Sequence, residues 1–225
     1  MFARYDRMAK QFTRIGKEIA IAVKKSGPDP DNNPMLRRIM QNAKSVNMPK
    51  ERVEGAIKNA LGKDTSSYDE VLYEGYAPHG IALLVETATD NPTRTVANVR
   101  SHFNKGGGSL GNSGSVAFMF RHMGVFKLNP EGLNAEDLEL ELIDAGLDEL
   151  GEDSEGNLVA RCAFSDFGSL QKALEEKNIV PVSSELEWIP LNTTDISEEH
   201  ADDVFKLIER LEEDDDVQRV FHNMA

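Results

Sequence analysis

Hydrophobic residues recur at helical spacing in the N-terminal part of this chain. The first seam steps by threes and fours through Met8, Phe12, Ile15, Ile19 and Val23. It predicts a helix over about residues 6–25. Two more helices are predicted at Pro34 and Pro49, because each proline follows a capping asparagine, Asn33 or Asn47, and proline suits the first helical position. Three helices with short breaks predict a small bundle.

The centre of the chain alternates strands and a helix. Residues 81–87 form a continuous apolar, branched run, which is typical of a strand covered on both faces. Asn91 and Pro92 then predict a helix start, and the three glycines at 106–108 predict its end. After a second glycine cluster, a further strand is predicted over residues 115–120.

A second pattern of strands and helices follows from Gly124. Its segments are strand 125–128, helix 135–145, strand 147–150, strand 158–164, helix 166–177 and strand 182–189. This βαββαβ order is that of the ferredoxin-like plait, which closes as a unit. The earlier sheet then lacks a second helix. The C-terminal segment supplies this helix, which begins after a Ser197 cap, and adds a strand over 217–221.

These patterns predict an α+β protein with an N-terminal three-helix bundle and two ferredoxin-like domains, one inserted into the other. The basic helical domain is expected at residues 1–64, ending in a linker at 62–67. A discontinuous α+β domain is expected at 65–122 and 191–225, and the inserted ferredoxin-like domain at 123–190.

Composition favours a cytoplasmic protein with no membrane segment. The chain has 225 residues, 40% of them hydrophobic, and no apolar run approaches the roughly 18 residues of a transmembrane helix. The first ten residues carry charges and lack the apolar core of a secretory signal. Cys162 is the only cysteine, so no intramolecular disulfide can form.

The net charge of −14 is divided unevenly along the chain. Residues 1–64 hold fourteen basic and seven acidic side chains, a net charge of +7, whereas residues 65–225 hold eleven and thirty-two, a net charge of −21. Such asymmetry predicts a polyanionic partner for the basic part. The acidic part offers a surface for a protein partner.

Basic residues of the first two helices lie outside the apolar seams. Four of them step by three and four along the first helix and form one stripe. A charged stripe is either a solvated face or a phosphate-contacting face, and the single sign of the charge favours the second. The candidate nucleic-acid-binding residues are Arg7, Lys10, Arg14, Lys17, Lys24, Lys25, Arg37 and Arg38.

Other candidate chemistry is weak. The glycine-rich loop at 106–114 could cradle a phosphate, but it is better explained as a helix cap and turn. The acidic run at 212–216 is predicted to be solvated. The five histidines lack metal-pair spacing and no catalytic constellation is evident, so no metal, no cofactor and no enzymatic activity are expected.

Long segments resemble the YebC/PmpR family, which includes the mitochondrial translational activator of cytochrome oxidase subunit I. They are EGYAPHGIALLVETATDNPTRTVANVR, GGSLGNSGSVAFMF and the N-terminal SGPDPDNNPMLRRIMQNAKSVNMPKERVEGAIKNA. The resemblance implies a DNA-binding transcriptional regulator or, alternatively, a ribosome-associated translation factor that binds ribosomal or transfer RNA. Many members begin with an additional basic arm, whereas this sequence starts at MFARYDRMAK, so contacts from that arm are not expected. The oligomeric state stays open.

Overall fold

The computed structural model describes residues 2–62 and 67–225, with the side chains of residues 2–7 left out. The N-terminal helices are α1 (Phe2–Ser26), α2 (Pro34–Ser45) and α3 (Lys50–Ala60). Their shared core includes Ile19, Leu36 and Ile39, which are almost fully buried. No helix in the described ranges is both long and apolar enough to cross a bilayer.

The caps of these helices follow the sequence prediction at α2 and depart from it at α3. The Asn33 side chain accepts a hydrogen bond from the Leu36 amide, as predicted. At α3 the flanking residue is Pro49, and no side chain in the described part of the chain caps the helix. The predicted Asn47 cap is therefore wrong: Asn47 lies in the turn between the helices with a φ of 56°.

The first sheet combines strands from distant parts of the chain. Its strands are β1 (Asp69–Tyr76), β2 (Ala82–Thr89), β3 (Ser109–Leu110) and β8 (Val217–His222), in the order β3-β1-β2-β8 with antiparallel neighbours. Helices α4 (Pro92–Lys105) and α7 (Glu198–Glu212) pack on it through Val99, Phe103, Val204 and Leu207. The predicted caps Asn91 and Ser197 both accept an amide hydrogen bond.

The strand predicted at 115–120 is wrong. The edge strand is β3, directly after the glycines that end α4, while residues 117–119 form a 3-10 turn. Glycine permits the close approach at this edge, because a Cβ on Gly75 would lie 2.5 Å from the Ser109 carbonyl oxygen. Residues 114–117 do not pair in a ladder, since the amides of Gly114, Val116 and Ala117 donate to the Glu74 carboxylate and the Ser115 amide donates to the Asn112 carbonyl oxygen.

The second sheet belongs to the ferredoxin-like unit. Its strands are β4 (Phe120–Leu128), β5 (Leu147–Glu152), β6 (Leu158–Ala163) and β7 (Ser183–Pro190), in the order β5-β6-β4-β7 with antiparallel neighbours. Helices α5 (Ala135–Leu142) and α6 (Phe167–Glu176) cover it over a core that includes Phe126, Leu142 and Leu170. The predicted α+β fold class is confirmed.

The two ends of this unit meet at the first sheet. The Leu191 amide donates to the Met119 carbonyl oxygen at 2.9 Å, so the chain leaves the unit where it enters it. This closure supports the proposed insertion, with limits near residues 120 and 190.

We expect a fragment of residues 119–191 to fold alone, because its core is built from residues 126–179 only. Its far-UV circular dichroism should show mixed α and β structure, with a cooperative thermal transition. A coil spectrum at all temperatures would contradict the insertion.

Candidate nucleic-acid interface

The basic stripe of α1 contacts the C-terminal end of α7. Lys10 Nζ donates to the Glu213 carbonyl oxygen at 3.3 Å, and Arg14 Nη2 donates to the Glu212 carbonyl oxygen at 2.9 Å. A helix leaves its last carbonyls without internal partners, and positive charge is favourable there. Two members of the predicted stripe therefore act as a C-terminal cap for a helix about 200 positions away in sequence.

Lys17 lies deeper in the same contact. Its side chain is 10% exposed, and its ammonium group donates to the carbonyl oxygens of Ala88 and Asp215, at 3.0 and 2.7 Å. The third partner is the Asp216 carboxylate at 3.1 Å. The stripe is thus not exposed along its whole length. The buried ammonium group of Lys17 is stabilised by these two carbonyl oxygens and one carboxylate.

Asp216 is the centre of this contact. Its second carboxylate oxygen accepts hydrogen bonds from Arg94 at 2.6 Å and from the Thr95 hydroxyl at 2.9 Å. Burial alone would raise the pKa of Asp216, but hydrogen bonds from Arg94, Thr95 and Lys17 outweigh it and lower the pKa. The prediction of a solvated acidic run is wrong at this residue, whose residual exposure is 5%.

Arg37 and Arg38 contact the inserted domain. Arg37 Nε lies 3.1 Å from the Glu175 carboxylate, across a partly exposed pair. Arg38 is buried between the carboxylates of Glu18 and Glu185, at 3.2 and 3.4 Å. One helical turn further on, the Asn42 side chain exchanges two hydrogen bonds with the backbone of Ser184. This face of α2 therefore packs against β7.

The remaining predicted residues lie at the two ends of α1. Lys24 and Lys25 are exposed at its C-terminal end, where Lys25 pairs with Glu70 of β1. The side chain of Arg7 lies outside the described residues. Nucleic-acid binding by the eight predicted residues stays a prediction. In the structure, Lys17 and Arg38 form contacts that hold the bundle against the two other domains.

Sequence analysis missed four exposed cations on the second and third helices. They are Lys44, Lys50, Arg52 and Lys58. Lys50 pairs with Glu54, and the guanidinium of Arg52 lies 5.5 Å from the centre of the Phe12 ring. Their exposure could have been predicted, because all four fall outside the apolar positions of their helices. They do not form a single stripe, however, because they are divided between two helices.

The glycine-rich loop at 106–114 is organised by a buried carboxylate. Glu74 is 4% exposed and accepts hydrogen bonds from the amides of Gly114, Val116 and Ala117, at 2.6 to 2.7 Å. Burial raises the pKa of Glu74, but these three bonds outweigh it, so the net shift is downward. Amides that already bind a carboxylate are not available to a phosphate, which favours the structural explanation of this loop.

Comparisons with known proteins cover nearly the whole chain. The family model described as "TACO1/YebC protein N-terminal domain" matches residues 1–63, and the one described as "TACO1/YebC second and third domain" matches residues 68–224. Relatives named "Probable transcriptional regulatory protein" are 61% identical in Myxococcus xanthus, over 100% of this chain and 95% of that protein, and 56% identical in Flavobacterium johnsoniae, over 98% and 93%.

A solved structure has the same fold. The crystal structure of a conserved hypothetical protein from Aquifex aeolicus superposes with a TM-score of 0.83 and 36% sequence identity, covering 96% of this chain and 90% of that one.

Proposed function

This chain belongs to the TACO1/YebC family, and we propose that it regulates transcription by binding DNA through its N-terminal helical domain. The relatives named as transcriptional regulatory proteins support the regulatory part of this proposal. Binding through the bundle rests on an observation in this chain itself, the division of charge between a domain of +7 and a remainder of −21.

The division of charge favours one orientation on a polyanion. Phosphates attract the bundle and repel the acidic domains, and charges beyond about 8 Å are largely screened at physiological salt, so the local sign decides. The exposed cations of the bundle are the ones that phosphates reach first. They are Lys24, Lys25, Lys44, Lys50, Arg52 and Lys58.

Four of the other predicted residues divide into two groups in this proposal. Lys10 and Arg14 are partly exposed and would have to exchange a carbonyl oxygen for a phosphate oxygen. Lys17 and Arg38 are buried in ion pairs, and releasing them would break one buried pair with Asp216 and one with Glu185. We therefore assign Lys17 and Arg38 to positioning the bundle and not to phosphate contact.

A salt-dependent titration tests the proposal. Fluorescence anisotropy of a labelled DNA duplex is measured with the full chain from 50 to 300 mM salt, beside a ribosomal RNA fragment of equal charge. We expect the logarithm of the association constant for DNA to fall linearly with the logarithm of salt, by about 0.9 for each phosphate contact. Binding that is confined to RNA would favour a translation factor, and absence of binding to both would overturn the proposal.

A further inference from the structure

A cavity of about 330 Å³ lies where the bundle, the first sheet and the inserted domain meet. Its wall is largely apolar and includes Ile21, Met35, Ile39, Val71 and Leu186. The volume is at the lower end of the range of small-molecule sites, which is enough for one ring system. Sites of this kind often lie between domains and carry a few convergent polar groups.

Two side chains in the wall carry buried polar atoms without partners. Both the amide nitrogen and the amide oxygen of Gln218 lack a hydrogen bond within the described residues, as does Nε2 of His122. A buried donor or acceptor left unpaired costs about 1–3 kcal/mol, so native proteins rarely keep one unsatisfied. The Gln218 amide carries a donor and an acceptor side by side, and a rotation of this side chain into the cavity would let both pair with a ligand of the same pattern.

The charges in the wall disfavour an anionic ligand. The guanidinium of Arg38 is taken by Glu18 and Glu185, and that of Arg219 donates to Glu185 and to a backbone carbonyl. Lys25 also lines the cavity but pairs with the carboxylate of Glu70, and a further carboxylate, Glu86, lines it as well. Burial raises the pKa of Glu86, because this part of the wall is shielded from water. A phosphate would meet carboxylates here, whereas an uncharged molecule would not be repelled.

An aromatic stack forms part of the same wall. The rings of His122 and Trp188 lie 4.4 Å apart and nearly parallel, and the ring of Phe164 lies 4.5 Å from His122 on a similar plane. Trp188 Nε1 is fixed by the Glu86 carboxylate at 2.8 Å. Burial lowers the pKa of His122, which favours an uncharged ring in this stack.

We propose that this cavity binds one uncharged nucleobase, paired with the Gln218 amide and packed beside the aromatic stack of Trp188, His122 and Phe164. A glutamine amide matches the adjacent donor and acceptor of adenine N6 and N7, and bases pack well against aromatic side chains. Adenine is thus the expected base. It would come either from a free nucleoside or from an unstacked base of a bound strand, and this proposal does not rest on DNA binding by the bundle.

Tryptophan fluorescence tests the proposal, because Trp188 is the only tryptophan of the chain. Adenosine is titrated against the full protein, and we expect a saturable change in emission. Gln218→Leu should weaken binding about tenfold or more, since it removes both hydrogen bonds of the pair. Gln171→Leu is the matched control: Gln171 is buried and its Oε1 also lacks a partner among the described residues, but it lies against α2 outside the cavity wall.

A second variant controls for misfolding, and a second probe distinguishes the two sources of the base. Phe164→Ala changes a half-exposed ring, so its fold should survive, and it should also weaken adenosine binding. A response to single-stranded oligo(dA) without a response to adenosine, abolished by Gln218→Leu, would place the source in a bound strand. No response to either probe, or equal responses in the Gln218 and Gln171 variants, would overturn the proposal and leave the cavity to water.

Discussion

Replacing Asp216 by alanine is expected to lower the free energy of unfolding by about 3–5 kcal/mol, the usual cost of removing one partner from a buried ion pair. Lys17, which is 10% exposed, would lose the one carboxylate it pairs with among the described residues, and the Thr95 hydroxyl would lose one of its acceptors. Urea denaturation followed by circular dichroism measures this loss.

The neighbouring residue provides a matched control. Asp215 is exposed, and it contributes its backbone carbonyl to Lys17, which Asp215→Ala retains. We expect that variant to change stability by no more than about 0.5 kcal/mol. Equal losses in the two variants would mean that the contact between α1 and the 212–216 turn depends on general charge and not on the Asp216 carboxylate.

The contribution of Asp216 also sets a pH dependence. The pKa of Asp216 is lower in the folded state than the value of about 3.9 for an unfolded chain, so the folded protein binds the proton less well. The stabilisation is therefore complete above about pH 4 and is lost as the pH falls below that value. The difference in unfolding free energy between the wild type and Asp216→Ala should shrink over this acidic range and stay constant from pH 5 to 7.

Local signals made much of the fold predictable from the sequence. The helix at Pro92 was predicted correctly because Asn91 and the glycines after Lys105 act within a few residues of the bonds they make. The ferredoxin-like unit was predictable for the same reason, since each of its helices and strands has its own pattern of apolar residues. The strand at 115–120 was not, because the amides of Val116 and Ala117 donate to Glu74, about 40 positions earlier.

The site was less predictable, because its partners are distant in sequence. The spacing of Lys10, Arg14 and Lys17 correctly placed them on one side of α1. Nothing in that spacing indicates that the end of α7 would occupy this side. The same applies to the acidic run at 212–216, where all five residues look alike in the sequence. Asp216 is buried against Lys17 and Arg94, and the Asp214 side chain, 9% exposed, lies against His102.

The buried contacts of the α1 stripe change which variant is suitable for testing DNA binding. From the sequence alone, reversing Arg7, Lys10, Arg14 and Lys17 to glutamate would test the stripe without harming the fold. In the structure, Lys17→Glu would place a second carboxylate in the buried position beside Asp216 and break the contact with the turn after α7. Loss of DNA binding in that variant would follow from misfolding as readily as from lost phosphate contacts.

The exposed cations of α2 and α3 give a cleaner test. Replacing Lys44, Lys50, Arg52 and Lys58 together by glutamine removes four positive charges from the bundle. We expect the affinity for a DNA duplex to fall by orders of magnitude, because each lost phosphate contact removes the release of about 0.9 counterion. The slope of the logarithm of affinity against the logarithm of salt should flatten by about 3.6, which is four contacts at about 0.9 each. Anisotropy titrations at four salt concentrations measure both quantities.

A control variant of equal charge isolates the position of the lost charges. Arg100, Lys105, Lys172 and Lys206 are exposed on α4, α6 and α7, so replacing them by glutamine changes the net charge by the same four units outside the bundle. Both variants should keep the wild-type circular dichroism, since exposed substitutions cost little stability. We expect the control to weaken DNA binding only slightly, because the proposed orientation turns the acidic domains away from the phosphates. If the two variants lost affinity and slope equally, net charge would drive binding, and the assignment of the DNA surface to the helical bundle would fail.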